Sequence, residues 1–300
     1  MSLKIVVLAK QVPDTRNVGK DAMKADGTIN RAALPAIFNP EDLNALEQAL
    51  RLKDAHPGST VTVLTMGPGR AADIIREGLF RGADNGYLLT DRAFAGADTL
   101  ATSYALATAI RKIGDCDIII GGRQAIDGDT AQVGPQVAEK LGLTQITYAE
   151  EILEVGDGKI KVKRHIDGGV ETVEGPLPIV ITVNGSAAPC RPRNAKLVQK
   201  YKRAMGAQEK AAQPTACHPN GPQAIQYPEL YETRPYLNIP EWSVADVNGD
   251  LSQCGLSGSP TKVKTIQNIV FQAKESKTLT GSDKDIEDMI VELLANHTIG

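Results

Sequence analysis

The 300-residue chain lacks the patterns that mark several common classes of protein. Its four cysteines stand apart, with no C-x-x-C pair, and its four histidines are equally scattered. This spacing argues against structural disulfides and predicts no metal site. No apolar run approaches the roughly 20 residues that cross a bilayer, and the first residues enter a strand without a signal-peptide pattern. We therefore expect a cytoplasmic protein with no membrane span.

Charge and motif content exclude further classes. Lysine and arginine number 33 against 36 aspartates and glutamates, a net charge of -3, so no basic field predicts nucleic-acid binding. The G-x-G-x-x-G dinucleotide fingerprint, the P-loop and the G-x-S-x-G elbow are all missing. No catalytic residue is predicted, and the chain does not have the pattern of a self-contained catalyst.

The first half of the sequence alternates strands and helices. Apolar runs predict strands over residues 4–9, 61–65 and 116–120. Asn39-Pro40, followed by two acids, predicts a helix start with Asn39 as its cap. Repeated strand–helix units imply an α/β fold with a Rossmann-like, doubly wound, mostly parallel sheet.

The second half changes character. Alternating residues over 160–163 and 170–173 predict an antiparallel hairpin appended to the sheet. Residues 213–242 show no sustained period and are predicted to form an extended arm. A terminal helix carries an apolar stripe, which predicts packing onto a body, its own or a partner's. The stripe comprises Ile286, Met289, Ile290, Leu293 and Leu294. The predicted domains are an α/β domain over 1–188, a basic partner-recognition segment over 189–212 and a C-terminal arm with its helix over 213–300.

The most informative segment is GGRQAIDGDTAQVGPQ at 121–136, which follows a predicted buried strand. After Thr130 the apolar residues recur at helical spacing, so the polar loop lies where a strand ends and a helix begins. Ligands bind at such places in open α/β sheets because backbone N–H groups and the helix dipole converge there. Asp129 or Thr130 is expected to cap this helix and Gly142 to close it. The alternative is a solvated connecting loop.

Five segments together resemble the beta subunit of electron transfer flavoproteins over nearly the whole chain. They are VVLAKQVPDT at 6–15, FNPEDLNALEQALRLK at 38–53, TMGPG at 65–69, the segment at 121–136, and RHIDGGVET at 164–172. The TMGPG segment is short, whereas the one at 121–136 is highly specific. The resemblance implies a Rossmann-like sheet that holds an adenine nucleotide, and a C-terminal arm that embraces an alpha subunit.

The family's nucleotide contacts carry over, by motif, to four places in this sequence. All four lie at strand ends or helix starts, on one edge of the predicted sheet. The backbone amides of 130–133 can receive phosphate. The residues so implied are Leu8, Ala9, Asn39, Met66, Gly122, Arg123, Gln124, Ala125, Ile126, Asp127, Gly128, Asp129, Thr130, Ala131, Gln132 and Val133.

The family divides over the ligand of this site. Mitochondrial-type members hold AMP as a structural ligand, whereas electron-bifurcating members hold a second FAD that receives hydride from NADH. Segments 95–103 (AGADTLATS), 242–243 and 255–263 of this chain resemble the bifurcating type. The resemblance therefore predicts FAD, with AMP as the alternative. It adds Asp98, Thr99 and Thr102 to the site, although helix capping and internal hydrogen bonds are the other explanation for the two threonines.

The resemblance also implies partners. The alpha subunit would take electrons onward to an acyl-CoA dehydrogenase-like or other flavin dehydrogenase. Segment 192–197 resembles the family's recognition loop, with Leu197 as an apolar anchor and Arg193 in a basic rim. The alternative is a solvated basic linker with Leu197 folded onto its own domain. A rival class for the whole chain is a stand-alone adenine-nucleotide-binding α/β protein.

Overall fold

The computed structural model of the protein describes residues 1–14, 35–213, 216–217, 225–261 and 278–295. Its strands are β1 (Lys4–Leu8), β2 (Gln11–Pro13), β3 (Ala36–Phe38), β4 (Thr60–Met66), β5 (Asn85–Leu89), β6 (Ile118–Gly122), β7 (Thr144–Gly156), β8 (Lys159–Ile166), β9 (Gly169–Pro176), β10 (Ile179–Val183), β11 (Ala216–Cys217), β12 (Ile225–Gln226) and β13 (Glu241–Trp242). Its helices are α1 (Pro40–Ala55), α2 (Ala72–Arg81), α3 (Thr99–Ile113), α4 (Val133–Leu141), α5 (Ala195–Tyr201), α6 (Ala207–Ala212), α7 (Tyr227–Thr233) and α8 (Asp283–Ala295).

A nine-stranded sheet organises the described residues, in the order β13-β5-β4-β1-β6-β10-β7-β8-β9. Every neighbouring pair from β13 to β7 is parallel. The last two strands, β8 and β9, pair antiparallel, as the glycine-rich turns predict. The predicted fold class, a mostly parallel α/β sheet with an appended antiparallel hairpin, is therefore confirmed.

The central strands are apolar throughout because both faces of the sheet are covered. Ile5 and Val7 of β1 belong to the core that includes α1 and α2. Val6 and Leu8, which alternate with them, belong to a second core that includes α3 and α4. A strand between two helical layers has no solvated face, so its sequence shows no polar alternation.

The stretch that follows residue 213 is more ordered on this chain than the sequence predicted. Leu230 of α7 and Leu237 are buried in the same core as α1 and α2. Trp242 of β13, the strand at the edge of the sheet, pairs with β5 and stacks on Tyr87, with ring centroids 4.2 Å apart. The prediction of a wholly extended arm over 213–242 was wrong for these residues, because a two-residue strand and a two-turn helix are too short to show a period. Part of that stretch, 214–215 and 218–224, lies outside the described residues.

Helix α8 makes no comparable packing. Ser282 accepts a hydrogen bond from the backbone N–H of Asp285 at 3.2 Å, which caps the start of the helix. Its apolar stripe is open, with Ile286 42%, Ile290 43% and Leu294 50% exposed. The stripe therefore has no cover among the described residues of this chain. None of the described helices combines the length and the apolar character needed to cross a membrane.

Packing of α2 on β5 depends on a missing side chain at Gly86. A Cβ at that position would overlap the side chain of Ile75. We expect Gly86→Ala to lower the free energy of unfolding by about 1–3 kcal/mol, the usual cost of overpacking a core. Gly156→Ala, a strand glycine whose added Cβ meets nothing within 4 Å, should change it by less than about 0.5 kcal/mol. Urea unfolding of both variants measures this; equal stabilities would contradict the packing argument.

Candidate functional site

The carboxyl ends of the parallel strands form one edge of the sheet. From β1 the chain proceeds through α1 to β4 on one side, while β6, on the other side of β1, is reached after β5 and α3. The order of strands reverses between β1 and β6, which is where open α/β sheets form a crevice for ligands. Leu8 and Met66 end β1 and β4 at this edge, and Gly122 ends β6 and begins the loop over 122–132.

The first half of that loop is held by the start of α1. Asn39, which is fully buried, donates to the carbonyl oxygen of Gln124 at 2.8 Å and accepts from the N–H of Ile126 at 3.2 Å. Glu41 accepts from the N–H of Gln124 at 2.9 Å and from the Arg123 guanidinium at 3.0 Å. Asn39 occupies the cap position of α1, but its side chain makes no cap hydrogen bond. The predicted capping role was wrong because the loop takes both ends of the Asn39 amide.

Asp42 lies beneath the same loop. One carboxylate oxygen accepts from the N–H of Lys10 at 2.8 Å and the other from the N–H of Gly122 at 2.9 Å. Burial raises the pKa of Asp42 to about 7, although Asn39 and the two N–H donors oppose the shift. The sequence had shown Asp42 only as an acid in a first helical turn, which is common for its favourable dipole interaction.

The second half of the loop is closed by its own side chains. Asp127 pairs with the Lys10 ammonium at 2.7 Å, and Asp129 accepts from the side chain of Gln124 at 2.9 Å. Asp129 and Ala131 have left-handed backbones, with φ of 47° and 52°. Because of these reversals α4 starts only at Val133, so neither Asp129 nor Thr130 caps it; Gln132 holds the cap position without a side-chain bond. Gly142 closes α4 in the left-handed conformation, as predicted.

The donors left over at this edge are backbone groups. The N–H groups of residues 130–133 make no hydrogen bond to any described residue. The nearby cations are already engaged, Lys10 by Asp127 and Arg123 by Glu41. An anion at the start of α4 would therefore meet backbone N–H groups rather than a free side-chain cation.

Helix α3 forms the facing wall. The Thr99 hydroxyl donates to the side chain of Gln132 at 2.8 Å and accepts from that of Gln136 at 3.4 Å. Thr99 thus joins the first turn of α3 to the loop and to α4. Thr102 lies one turn further on, half-buried, and its N–H bonds to the carbonyl oxygen of Asp98 at 2.9 Å.

Asp98 connects this wall to the C-terminal part of the chain. Its carboxylate caps α3 through the N–H of Ala101 at 3.0 Å and accepts from the Thr261 hydroxyl at 2.7 Å. Its own N–H donates to the Ser259 hydroxyl at 2.8 Å. Burial opposes ionisation of Asp98, but these donors outweigh it and hold the pKa of the carboxyl below its usual value. Segments 95–103 and 255–261 are therefore one structural unit.

The structure brings the predicted nucleotide residues to one edge: the ends of β1 and β4, the whole loop over 122–132, and the start of α3. Leu8 and Ala9 are buried there, whereas Gly128, Asp129 and Thr130 are exposed.

Residues that sequence reasoning missed are Lys10, Glu41, Asp42 and Gln136. For Gln136 a signal existed, since it lies one helical turn after Gln132. Among the described residues no group of His, Cys, Asp and Glu could hold a metal ion.

The predicted docking residues lie on α5 and just before it. Arg193 pairs with Glu77 of α2, with an N–O distance of 2.6 Å. Leu197 is half-buried and packs against the core shared with α1 and α2. This geometry matches the alternative in which Leu197 folds onto its own domain, and its docking role stays a prediction.

Fold and site together define a Rossmann-like α/β protein whose candidate ligand site lies at the switch point of the sheet. The electron transfer flavoprotein domain matches residues 26–214. The chain belongs to the electron transfer flavoprotein family, among its beta subunits, as the sequence motifs predicted.

Three relatives illustrate the range of the family. The electron transfer flavoprotein subunit beta of Megasphaera elsdenii is 43% identical over 270 residues, covering 88% of this chain and 87% of its own. The acryloyl-CoA reductase electron transfer subunit gamma of Anaerotignum propionicum is 40% identical over 302 residues, covering 99% and 100%. The caffeyl-CoA reductase-Etf complex subunit CarD of Acetobacterium woodii is 51% identical over 180 residues, covering 60% and 68%.

The loop over 122–132 should loosen when Asn39 is truncated. We expect Asn39→Ala to lower the free energy of unfolding by about 1–3 kcal/mol, because it leaves the part-buried partner groups at Gln124 and Ile126 unpaired. Amide hydrogen exchange should quicken at Ile126. The matched control is Asn44→Ala on the same helix, which bonds to the carbonyl oxygens of Ala187 and Ala188 instead. Equal exchange at Ile126 in both variants would show that Asn39 does not hold the loop.

Proposed function

We propose that this chain is the beta subunit of a cytoplasmic, heterodimeric electron transfer flavoprotein of the bifurcating type. Its sheet edge binds FAD, which takes electrons from NADH for transfer to the FAD of the alpha subunit and on to a partner dehydrogenase. The proposal combines the family membership with the arrangement of the crevice.

One observation carries the choice of FAD over AMP. Two of the three segments whose sequences resemble bifurcating members, 95–103 and 255–263, are hydrogen-bonded to each other through Asp98. Residues 262–263 lie outside the described residues, so the contact is made by 255–261. The same unit reaches the loop over 122–132 through Thr99 and Gln132. A site with this extra wall is longer than the strand ends and loop alone, which supports a ligand longer than a mononucleotide.

The residues present fit an adenine dinucleotide in two respects. The N–H groups of 130–133 are free among the described residues and can receive phosphate oxygens. The buried side-chain oxygen of Gln136 has no partner there, directly beside the Thr99 hydroxyl. A polar ligand or a water molecule at this wall would satisfy it.

The work of the chain is to bind and orient. Loop 122–132 would receive the pyrophosphate, and the strand ends at Leu8 and Met66 would line the adenosine end. Thr99 and Thr102 would lie on the side of the α3 wall. FAD itself supplies the hydride acceptance and the electron transfer.

The names of the relatives agree with this choice. Two of them are named as parts of acryloyl-CoA and caffeyl-CoA reductase systems. For this chain they support an enoyl-CoA reductase-like or acyl-CoA dehydrogenase-like flavin enzyme as the redox partner.

Cofactor analysis of the heterodimer tests the proposal. We expect two FAD per heterodimer when the chain is co-expressed with its alpha subunit and the cofactors are extracted and quantified. NADH should bleach the flavin absorbance in the same preparation. One FAD together with one AMP would contradict the bifurcating proposal and leave the family assignment intact.

Leu197 offers a test of partner docking. If it anchors the dehydrogenase, Leu197→Ala should weaken partner affinity about ten- to a hundredfold, matching a burial loss of about 1.5–3 kcal/mol, with flavin content and NADH reduction unchanged. The control is Leu230→Ala, which truncates a buried leucine of the same core outside the docking segment. Electron delivery is measured at subsaturating dehydrogenase. Lower unfolding stability with undiminished delivery in both variants would assign Leu197 to packing alone.

A further inference from the structure

Asp42 joins the ends of two central strands with a single buried carboxylate. Only 6% of the residue is exposed, and its oxygens accept from Lys10, just after β1, and from Gly122, the last residue of β6. These strands flank the switch-point crevice. The relative position of the two strand ends therefore depends on one side chain of α1.

We propose that Asp42 is a positioning residue of the nucleotide site, whose ionised carboxylate fixes Lys10 and Gly122 and thereby sets the loop over 122–132 for binding. This inference rests on the proposed function, because it concerns how that site keeps its shape.

The surroundings are built for this contact. A Cβ on Gly122 would come within 2.5 Å of the Asp42 carboxylate, so glycine permits the approach. Lys10 in turn connects Asp42 to the middle of the loop, because its ammonium pairs with Asp127 at 2.7 Å. Asp42 thus acts on the loop at its first residue and, through Lys10, at its middle.

Asp42 is also the group of this edge that titrates near neutral pH. Burial raises its pKa to about 7. The charged side chains facing it are Lys10, the adjacent Glu41 with its partner Arg123, and Asp127. Strands β4 and β10, which also contact α1, carry no charged residue.

Protonation has a definite direction of effect. The ionised carboxylate accepts both N–H bonds with charge assistance, and a proton on one oxygen weakens that assistance. Nucleotide affinity should therefore be highest above pH 7 and fall as the pH drops through about 7. Folding stability should move the other way. Because the folded pKa lies above the usual value, the contribution of Asp42 to folding stability is greatest at low pH and is lost as the pH rises from about 4 to about 7.

The experiment uses the co-purified heterodimer, with FAD as the probe. FAD affinity of the beta site is measured between about pH 5.5 and about pH 8.5, a range that brackets the Asp42 transition. We expect about tenfold tighter binding at the upper end for the wild type, which equals about 1.4 kcal/mol. Asp42→Asn keeps the shape but cannot accept both bonds, so it should bind weakly and without pH dependence.

Asp117→Asn is the matched control. Asp117 accepts from the N–H of Lys4 at 2.7 Å and so joins the same two strands at the opposite edge of the sheet. It should keep the wild-type affinity and pH profile. An Asp42→Asn variant with the wild-type affinity and profile would overturn the inference.

A second readout separates this inference from the proposed function. In the wild type, the pH is lowered through 7. Amide exchange at Lys10 and Gly122, relative to exchange at Lys4, should then become faster, whether or not FAD binds. If the wild type binds neither FAD nor AMP, the proposed function fails, while this exchange pattern still decides the role of Asp42. An Asp42→Asn chain that does not fold leaves the wild-type series as the test. Relative exchange that is independent of pH would overturn the inference.

Discussion

The crevice depends on a set of hydrogen bonds between the first turn of α1 and the loop that follows β6. Asn39 occupies the cap position of α1, and Glu41 and Asp42 lie in its first turn. Each of the three accepts a hydrogen bond from a different backbone N–H group of residues 122–126. Polar loop backbone near a buried strand end needs such partners, because an unpaired buried N–H costs about 1–3 kcal/mol. The helix start therefore satisfies the loop, and in doing so gives it one shape. Glu41 also engages Arg123, and Asp127 engages Lys10, so an anion at the start of α4 would meet backbone N–H groups rather than a free side-chain cation.

The facing wall is assembled from distant parts of the sequence. Asp98 accepts hydrogen bonds from the backbone of α3 and from the Thr261 hydroxyl. Thr99 connects α3 with Gln132 of the loop by a further hydrogen bond. These bonds make the C-terminal segment over 255–261 a part of the crevice. That arrangement links the family membership to the proposed cofactor. The strand ends and the loop form the part of the candidate site proposed for an adenine nucleotide, whereas the additional wall includes the segments that resemble bifurcating members.

Much of the fold could be predicted from local patterns. The apolar runs of β1, β6 and β10 have no polar alternation because helices cover both faces of the sheet, and the glycine-punctuated alternation of β8 and β9 marks a half-exposed hairpin. The loop was recognisable as a candidate site because its polar residues stand between a buried strand and a helix. Recognition of the family came from the same segment, the most specific one, together with four others.

By itself, the sequence determined the strand–helix alternation of the first half of the chain, the appended hairpin, the family, and the edge of the sheet at which the candidate site lies. The tertiary structure alone decided the partners of each side chain. Asn39 looks like a helix cap, yet its amide belongs to the loop; Asp129 looks like a cap, yet two left-handed residues place it before the helix. Asp42 gave no signal beyond a common helix-start acid, because its partners are backbone groups that are 32 and 80 residues away. Local propensity fixes an element, whereas a hydrogen bond between distant residues exists only after the sheet has brought their strand ends together.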